Sequence, residues 1–245
     1  MTEKLYWNDA YAKEFSAKIT KINGNEVVLD KTLFYPTGGG QPNDTGKIIC
    51  NGNEYRVVDV KSNDDEIIHV LDKNLDAHVG DTVSGVIDWD RRYKLMRLHS
   101  AIHLIDGILE NKYKSSMITG GQIYEDRARI DIDMQELNKE KAEELISEAN
   151  KVAKEGHEIQ ARFIPRDEAL KIEGLARTET GKELIKKLDV VRVVEIKGLD
   201  MQSDGGTHVK NTNEIGTIKL SKFENKGKHS KRIEIVLEDQ SLPSN

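Results

Sequence analysis

The chain has very little cysteine: Cys50 is the only one in 245 residues. That excludes an intramolecular disulfide and suits a reducing compartment, so a cytoplasmic location is expected. Cys50 is remote in sequence from the metal-type motifs below and reads as a small strand residue. No run of about eighteen apolar residues occurs, so no membrane span and no membrane partner are expected. The first residues, Met1-Thr2-Glu3-Lys4-Leu5-Tyr6-Trp7, lack the apolar core of a secretory signal. Excess positive charge is also missing. Lys and Arg number 37 against 43 Asp and Glu, a net charge of −6, so nucleic-acid binding would need a local basic face. Internal repeats, low-complexity tracts and long linkers are absent.

What is present is an ordinary globular composition, 33% charged and 37% hydrophobic, long enough for one large domain or two small ones. The first ninety residues read as β. Alternating runs fall at Ala17–Ile22, Glu26–Leu29, Gly46–Cys50, Tyr55–Lys61, Ile67–Leu71 and Thr82–Asp88, with Asn23-Gly24, Asn51-Gly52 and Val79-Gly80-Asp81 as turns. Short strands at this spacing predict a small barrel. Beyond Asp90 the pattern becomes α+β. Helices are expected over about 91–110 and 135–154, the second with Gly156 as its stop. Short helices are expected at Asp167–Lys171 and Lys182–Leu188, and a polar turn at Ser115–Gly121. Strands are expected at Gln122–Tyr124, Ala128–Ile132, His157–Phe163 and Val190–Ile196. Gly216–Lys222 and Arg232–Leu237 read as a hairpin. The expected organisation is a barrel domain over 1–90 and an α+β domain over 91–245.

Two short pairs carry metal-type chemistry. His99 and His103 stand four apart in a segment without Gly or Pro, so on a helix both imidazoles lie on one face. Asp204 and His208 flank a glycine-containing turn, Asp204-Gly205-Gly206-Thr207-His208. Two such pairs can close a tetrahedral site, and imidazole with carboxylate suits zinc, one ion per chain. Histidine pairs at this spacing also arise by coincidence on surfaces and in cores. Three of the seven histidines falling in these two clusters favours the metal reading. The metalloprotease helix H-E-x-x-H is excluded, because Ser100 stands where its glutamate would be.

A third segment, Tyr35-Pro36-Thr37-Gly38-Gly39-Gly40-Gln41-Pro42, places three glycines between a hydroxyl and an amide. Glycines let a ligand approach the main chain closely. Alone, the segment reads as a hairpin loop without a ligand. It is not a P-loop, since no Gly-Lys-Ser/Thr follows. Two short basic segments could meet RNA phosphates: Arg91, Arg92 and Lys94 with Arg97, and the hairpin tip with Lys226 and Lys228. Clusters this short are also common on solvated faces.

Together these motifs resemble the alanyl-tRNA editing proteins, the free-standing AlaX group related to the editing region of alanyl-tRNA synthetase. The glycine segment with Asp44 and Gly46 resembles that family's entry loop. Arg97-Leu98-His99-Ser100-Ala101-Ile102-His103-Leu104 resembles its R-x-H-T/S-A-x-H-L helix. Asp204 to Val209 with Asn211 to Gly216 resembles C-G-G-T-H-V…N-T-x-E-I-G, and Asp126 to Asp131 resembles D-R-x-R-F-D. The resemblance spans roughly 34–216 in the expected order. It implies an N-terminal barrel followed by an editing domain of the threonyl/alanyl-tRNA synthetase type. It implies zinc-dependent hydrolysis of tRNA(Ala) mischarged with serine, with Gly-tRNA(Ala) as a further substrate. Where the family has a metal cysteine this chain has Asp204. The site is then either three histidines and a carboxylate, or three histidines and water with Asp204 behind them.

On this reading the ester is cleaved beside the metal ligands His99, His103, Asp204 and His208. Gly38, Gly39 and Gly40 offer main-chain N–H groups to the developing oxyanion. Thr37 and Gln41 are the candidate substrate contacts, with Thr37 reading the serine hydroxyl. The rival readings are a zinc hydrolase of a small ester or amide, a non-catalytic tRNA-binding module, and a threonyl-tRNA editing domain. Oligomeric state is not legible.

Overall fold

The computed structural model describes residues 1–113, 117–176 and 179–238. The chain divides into two compact units, Met1–Leu95 and Met96–Asn245. In the first unit a short parallel pair, β1 (Glu3–Lys4) with β4 (Lys31–Thr32), accompanies a closed barrel. The barrel strands are β2 (Glu14–Asn23), β3 (Glu26–Leu29), β5 (Gly46–Cys50), β6 (Asn53–Asn63), β7 (Glu66–Leu71) and β8 (Thr82–Ile87), in the order β2-β3-β7-β6-β5-β8. All neighbours are antiparallel. Every predicted strand run is found. Alternation sends Ala17, Ile19, Val27, Leu29, Ile48, Val57, Ile67 and Val83 inward to one core. Closure removes the open edges that would otherwise template aggregation.

The second unit is α+β. Helix α1 (Trp89–Lys112) begins in the first unit and continues into it. The order then runs β9 (Met117–Ile123), β10 (Ala128–Asp133), α2 (Lys139–Glu155), β11 (Ile159–Pro165), α3 (Arg166–Ala169), α4 (Glu179–Lys187), β12 (Val190–Ile196), β13 (Asp200–Ser203), β14 (Ile218–Asn225) and β15 (Lys231–Leu237). Two sheets form, β14-β15-β10-β9 and β11-β12-β13. Asn138 caps α2 by accepting from Lys141 N–H, and Gly156 ends it at φ 79°. The apolar stripe of α2, Ala142, Leu145, Ile146 and Ala149, is buried. Asn150 bonds both the N–H and the carbonyl of Ile218, each at 2.8 Å, and so ties α2 to β14. The turn expected at Ser115–Gly121 is corrected. Residues 114–116 lie outside the described residues, and Met117–Gly121 belong to β9, paired with β10. Glycines at 120 and 121 made that strand read as a turn. No described helix is long and apolar enough to cross a membrane.

One histidine is part of the barrel core. His69 is wholly buried, with Nδ1 3.1 Å from Val27 O and Nε2 2.8 Å from Thr32 Oγ1. The carbonyl can only accept, so Nδ1 carries the proton and the Thr32 hydroxyl donates to Nε2. Burial lowers the imidazole pKa to about 4, partly opposed by the Val27 bond. The unfolded chain therefore takes up this proton first as pH falls. The stabilisation is complete above about 6.5 and is lost progressively toward about 4, a loss of about 3 kcal/mol. Replacing His69 with Gln should remove that part of the acid sensitivity. Urea midpoints at pH 7 and pH 5 should fall more for the natural chain than for His69→Gln, and parallel falls would refute the neutral assignment.

Candidate metal centre and glycine loop

Helix α1 presents His99 and His103 on one face, as their four-residue spacing requires, with ring centroids 5.1 Å apart. The segment after β13 brings His208 to the same place, its ring centroid 4.2 Å from that of His99 and 4.6 Å from that of His103. Asp204 completes the group. One donor atom from each of His99, His103, Asp204 and His208 lies within 4.8 Å of all the others. His208 Nε2 is 2.9 Å from Asp204 Oδ2, and His99 Nε2 is 3.6 Å from Asp204 Oδ1. Donors about 2.0–2.1 Å from a tetrahedral zinc stand about 3.4 Å from one another, so the set fits the ion with small adjustments.

The local sequence explains how the segment reaches this position. Asp204 N–H donates to Arg192 O at 3.2 Å, and Arg192 Nη1 returns a bond of 2.8 Å to Asp204 O. Gly206 N–H donates to Asp204 Oδ2 at 2.7 Å, closing the turn. Beyond the ligands, Asn211 and Glu214 form a capping box on the 3-10 turn Thr212–Ile215. The N-T-x-E part of the motif is therefore a structural stop. Ser100, between the two helix histidines, lies 3.2 Å from His208 Nδ1 and accepts Val209 N–H at 3.2 Å. A hydroxyl both donates and accepts, so Ser100 holds the His208 ring in either tautomer.

Electrostatics prepares the donors. Burial, reinforced by the neighbouring imidazoles against the pull of Asp204, keeps His99 well below its ordinary pKa. Burial likewise takes His208 down to about 4. Both are then neutral with lone pairs available at pH 7. Burial raises the Asp204 carboxyl, but His99 first and then His208 hold it well below the usual carboxylate range. His103 differs. Burial pulls it down, yet Asp200, Asp204 and Asp106 together lift it above its ordinary value. Sequence reasoning missed Asp106, Asp200 and Gln202 around this ring. Their signal was present: Asp106 is three residues past His103 on the helix, and Asp200 and Gln202 alternate on β13.

With this geometry in place, comparison with known proteins is informative. Residues 191–234 match the family described as threonyl and alanyl tRNA synthetase second additional domain, and residues 6–91 match tRNA synthetases class II (A). The chain is 46% identical to the alanyl-tRNA editing protein AlaX-M of Saccharolobus solfataricus, over 95% of this chain and 98% of that protein. The chain belongs to the AlaX-M family. The AlaX-M of Methanosarcina mazei is 40% identical over 98% of both chains. The alanine–tRNA ligase of Ignicoccus hospitalis is 40% identical over 89% of this chain but only 24% of the ligase, so the shared region is one part of that larger protein.

The other expected site residues divide. In the glycine loop Thr37 and Gly39 are exposed, while Gly39 and Gly40 adopt φ 58° and 80°, which only glycine takes easily. The Thr37 hydroxyl donates to Asn43 Oδ1 at 3.3 Å and accepts Asn43 N–H at 3.2 Å. Two expectations here are corrected. Gly38 N–H already donates to Gln41 O at 3.0 Å, so it is not a spare oxyanion donor. Gln41 is fully buried rather than presented to a substrate. Arg92, expected on an RNA face, is also corrected. It is 0% exposed and paired with Asp44, with Nη1 donating to Ala10 O and Nη2 to Leu33 O. Arg91 is half-buried and donates to Asn43 O, whereas Lys94 is exposed. At the hairpin tip Lys226 and Lys228 are exposed and line, with Gln135, Asn225, Gly227 and Lys231, an open hollow of about 610 Å³. Lys226 is paired with Glu224 at 2.7 Å.

A direct check of the donor set is metal content. The natural chain dialysed against Zn2+ should retain one equivalent by elemental analysis, and His103→Ala should retain well under half at the same free metal. Full retention by the variant would remove His103 from the set.

Proposed function

We propose that this protein hydrolyses the ester joining serine to the terminal ribose of tRNA(Ala), sparing alanine, with one Zn2+ held by His99, His103, His208 and Asp204. The observation that carries the reading is the cluster of three buried imidazoles and a partly buried carboxylate in a chain of the AlaX-M family. Bound zinc would supply Lewis acidity, either lowering the pKa of a water or polarising the ester carbonyl. The chain does the rest. The two helix histidines hold a fixed spacing, Ser100 orients His208, and Arg192 pins the main chain of Asp204. Burial excludes bulk water from the donors, which strengthens every charge interaction among them.

Selectivity follows from a hydroxyl. A polar group that pairs with the serine side chain is left unmet when alanine enters, and an unmet polar group is costly. We assign that contact to Thr37. Its hydroxyl is exposed and held only by long bonds to Asn43, which a substrate hydroxyl can replace. Gly39, at the exposed apex, is the main-chain position nearest in kind to an oxyanion donor. We assign the tRNA backbone to Lys94, with Arg91 three residues before it, and to the hairpin-tip Lys226 and Lys228.

The deciding experiment is deacylation of Ser-tRNA(Ala), Gly-tRNA(Ala) and Ala-tRNA(Ala) by purified protein, with and without a zinc chelator. Chelator-sensitive loss of serine with alanine retained supports the proposal. No loss from any of the three by zinc-loaded protein would overturn it and leave a tRNA-binding module. Equal turnover of a small serine ester would make the protein a general zinc esterase. Thr37→Val should cut the serine-over-alanine preference about tenfold, the worth of one neutral hydrogen bond, with zinc content unchanged and Thr37→Ser retaining the preference. Undiminished preference in Thr37→Val would cancel the assignment.

A further inference from the structure

The carboxylates behind His103 do more than fill space. Asp200 Oδ2 lies 3.5 Å from His103 Nδ1, and the Asp200 side chain is fully buried. Gln202 spends both amide protons on this group, 2.8 Å to Asp200 Oδ2 and 2.7 Å to Asp106 Oδ2. Carboxylates only accept, so the Gln202 amide nitrogen must face them. Asp106 is 4% exposed. The segment 199–202 is locked against α1 by contacts that involve no metal-type residue. Asn111 Nδ2 donates to Leu199 O and to Gly107 O, each at 2.8 Å. A Cβ at position 107 would lie 2.9 Å from Asp200 Cβ and 3.0 Å from Leu199 Cγ, so glycine there is what lets Asp200 come this close. His103, Asp106, Gly107 and Asn111 occupy one face of the helix, and β13 is registered along it.

We infer that Asp200, fixed by Gln202 and Asp106, is the positioning residue that turns His103 toward the ion and sets how tightly the site retains it. This rests on the metal reading proposed above. With Nδ1 directed to Asp200, Nε2 is the ring nitrogen left for a metal. A carboxylate on the far nitrogen fixes the ring's orientation and makes the near nitrogen a stronger donor. A divalent cation at the adjacent ring is attracted by both buried carboxylates, which adds to its retention. A purely structural network would instead change the stability of the metal-free fold and leave metal affinity as it was.

The test is Asp200→Asn, with Gln202→Met as a second variant that leaves both carboxylates in place. Each is titrated with Zn2+ against a chromophoric chelator, with Co2+ as a spectroscopic probe, and melted in metal-free buffer. Asp200→Asn should weaken Zn2+ about 10–100-fold and shift the Co2+ absorption bands. Gln202→Met should weaken Zn2+ by a smaller factor in the same direction. Zn2+ affinity within twofold of the natural chain in both folded variants overturns the inference, as does a metal-free Asp200→Asn that melts lower while binding normally. If the natural chain itself takes up no Zn2+ or Co2+, it is the metal reading that fails.

Discussion

The structure of the second unit turns on a desolvation constraint. Three buried imidazoles and a partly buried carboxylate bring one donor atom each within 4.8 Å of all the others. Burial disfavours every charged state there, and His99 and His208 respond by staying neutral, while the carboxylates around His103 lift that ring above its ordinary value. Neutral imidazoles beside an ionised carboxylate are what a divalent cation needs, and what little else in a protein interior would favour. Much local detail follows from keeping that group assembled. His99 and His103 come from one rigid helix, so their spacing carries no loop entropy. The other two come from a turn whose main chain is bonded to β12 at both its N–H and its carbonyl.

The first unit depends on a different buried charge. Arg92, at 0% exposure, pairs with Asp44, which also accepts Tyr35 N–H at 2.7 Å. One ion pair thus joins the start of α1 to both flanks of the glycine loop. A buried pair of this kind adds little net stability, but losing one partner costs about 3–5 kcal/mol because the other charge is stranded. Its contribution is to specify where the loop begins and ends. Arg97 has a comparable inward role, donating to Ile215 O at 3.0 Å. A run of basic residues that looks like an RNA-facing surface is therefore mostly interior wiring, with Lys94 the exposed member.

These two sites show which parts of the structure the sequence makes legible. Alternation at period two located all six barrel strands, because a closed barrel buries one side of every strand. That His99 and His103 share a side was legible because four-residue spacing on a helix puts both on one face. The supporting residues left only a local trace, with Asp106 three residues past His103, and their meeting was not legible. Asp200, Gln202 and Asp106 come from two elements nearly a hundred positions apart, and nothing local says that β13 lies against α1. The inward arginines failed for the same reason. Charge is visible in a sequence, but the partner that buries it is remote: Arg92 and Asp44 are 48 residues apart. The strand Met117–Ile123 was obscured by its two glycines, whose turn preference was overruled by pairing with β10.

Asp204 shows what a carboxylate can do at a candidate ligand position. A thiolate donates strongly to zinc but accepts hydrogen bonds weakly. A carboxylate has two oxygens and can divide its roles. Here Oδ2 accepts Gly206 N–H, an Asx-type turn that shapes the ligand loop, while Oδ1 faces His99 Nε2. The residue thus anchors its own turn while presenting a free edge toward the imidazoles. The hydrogen bond from His208 Nε2 to Asp204 Oδ2 occupies a line that a metal would take over. Binding an ion then exchanges a proton for a cation between two groups already in contact, and the loop need not be rebuilt.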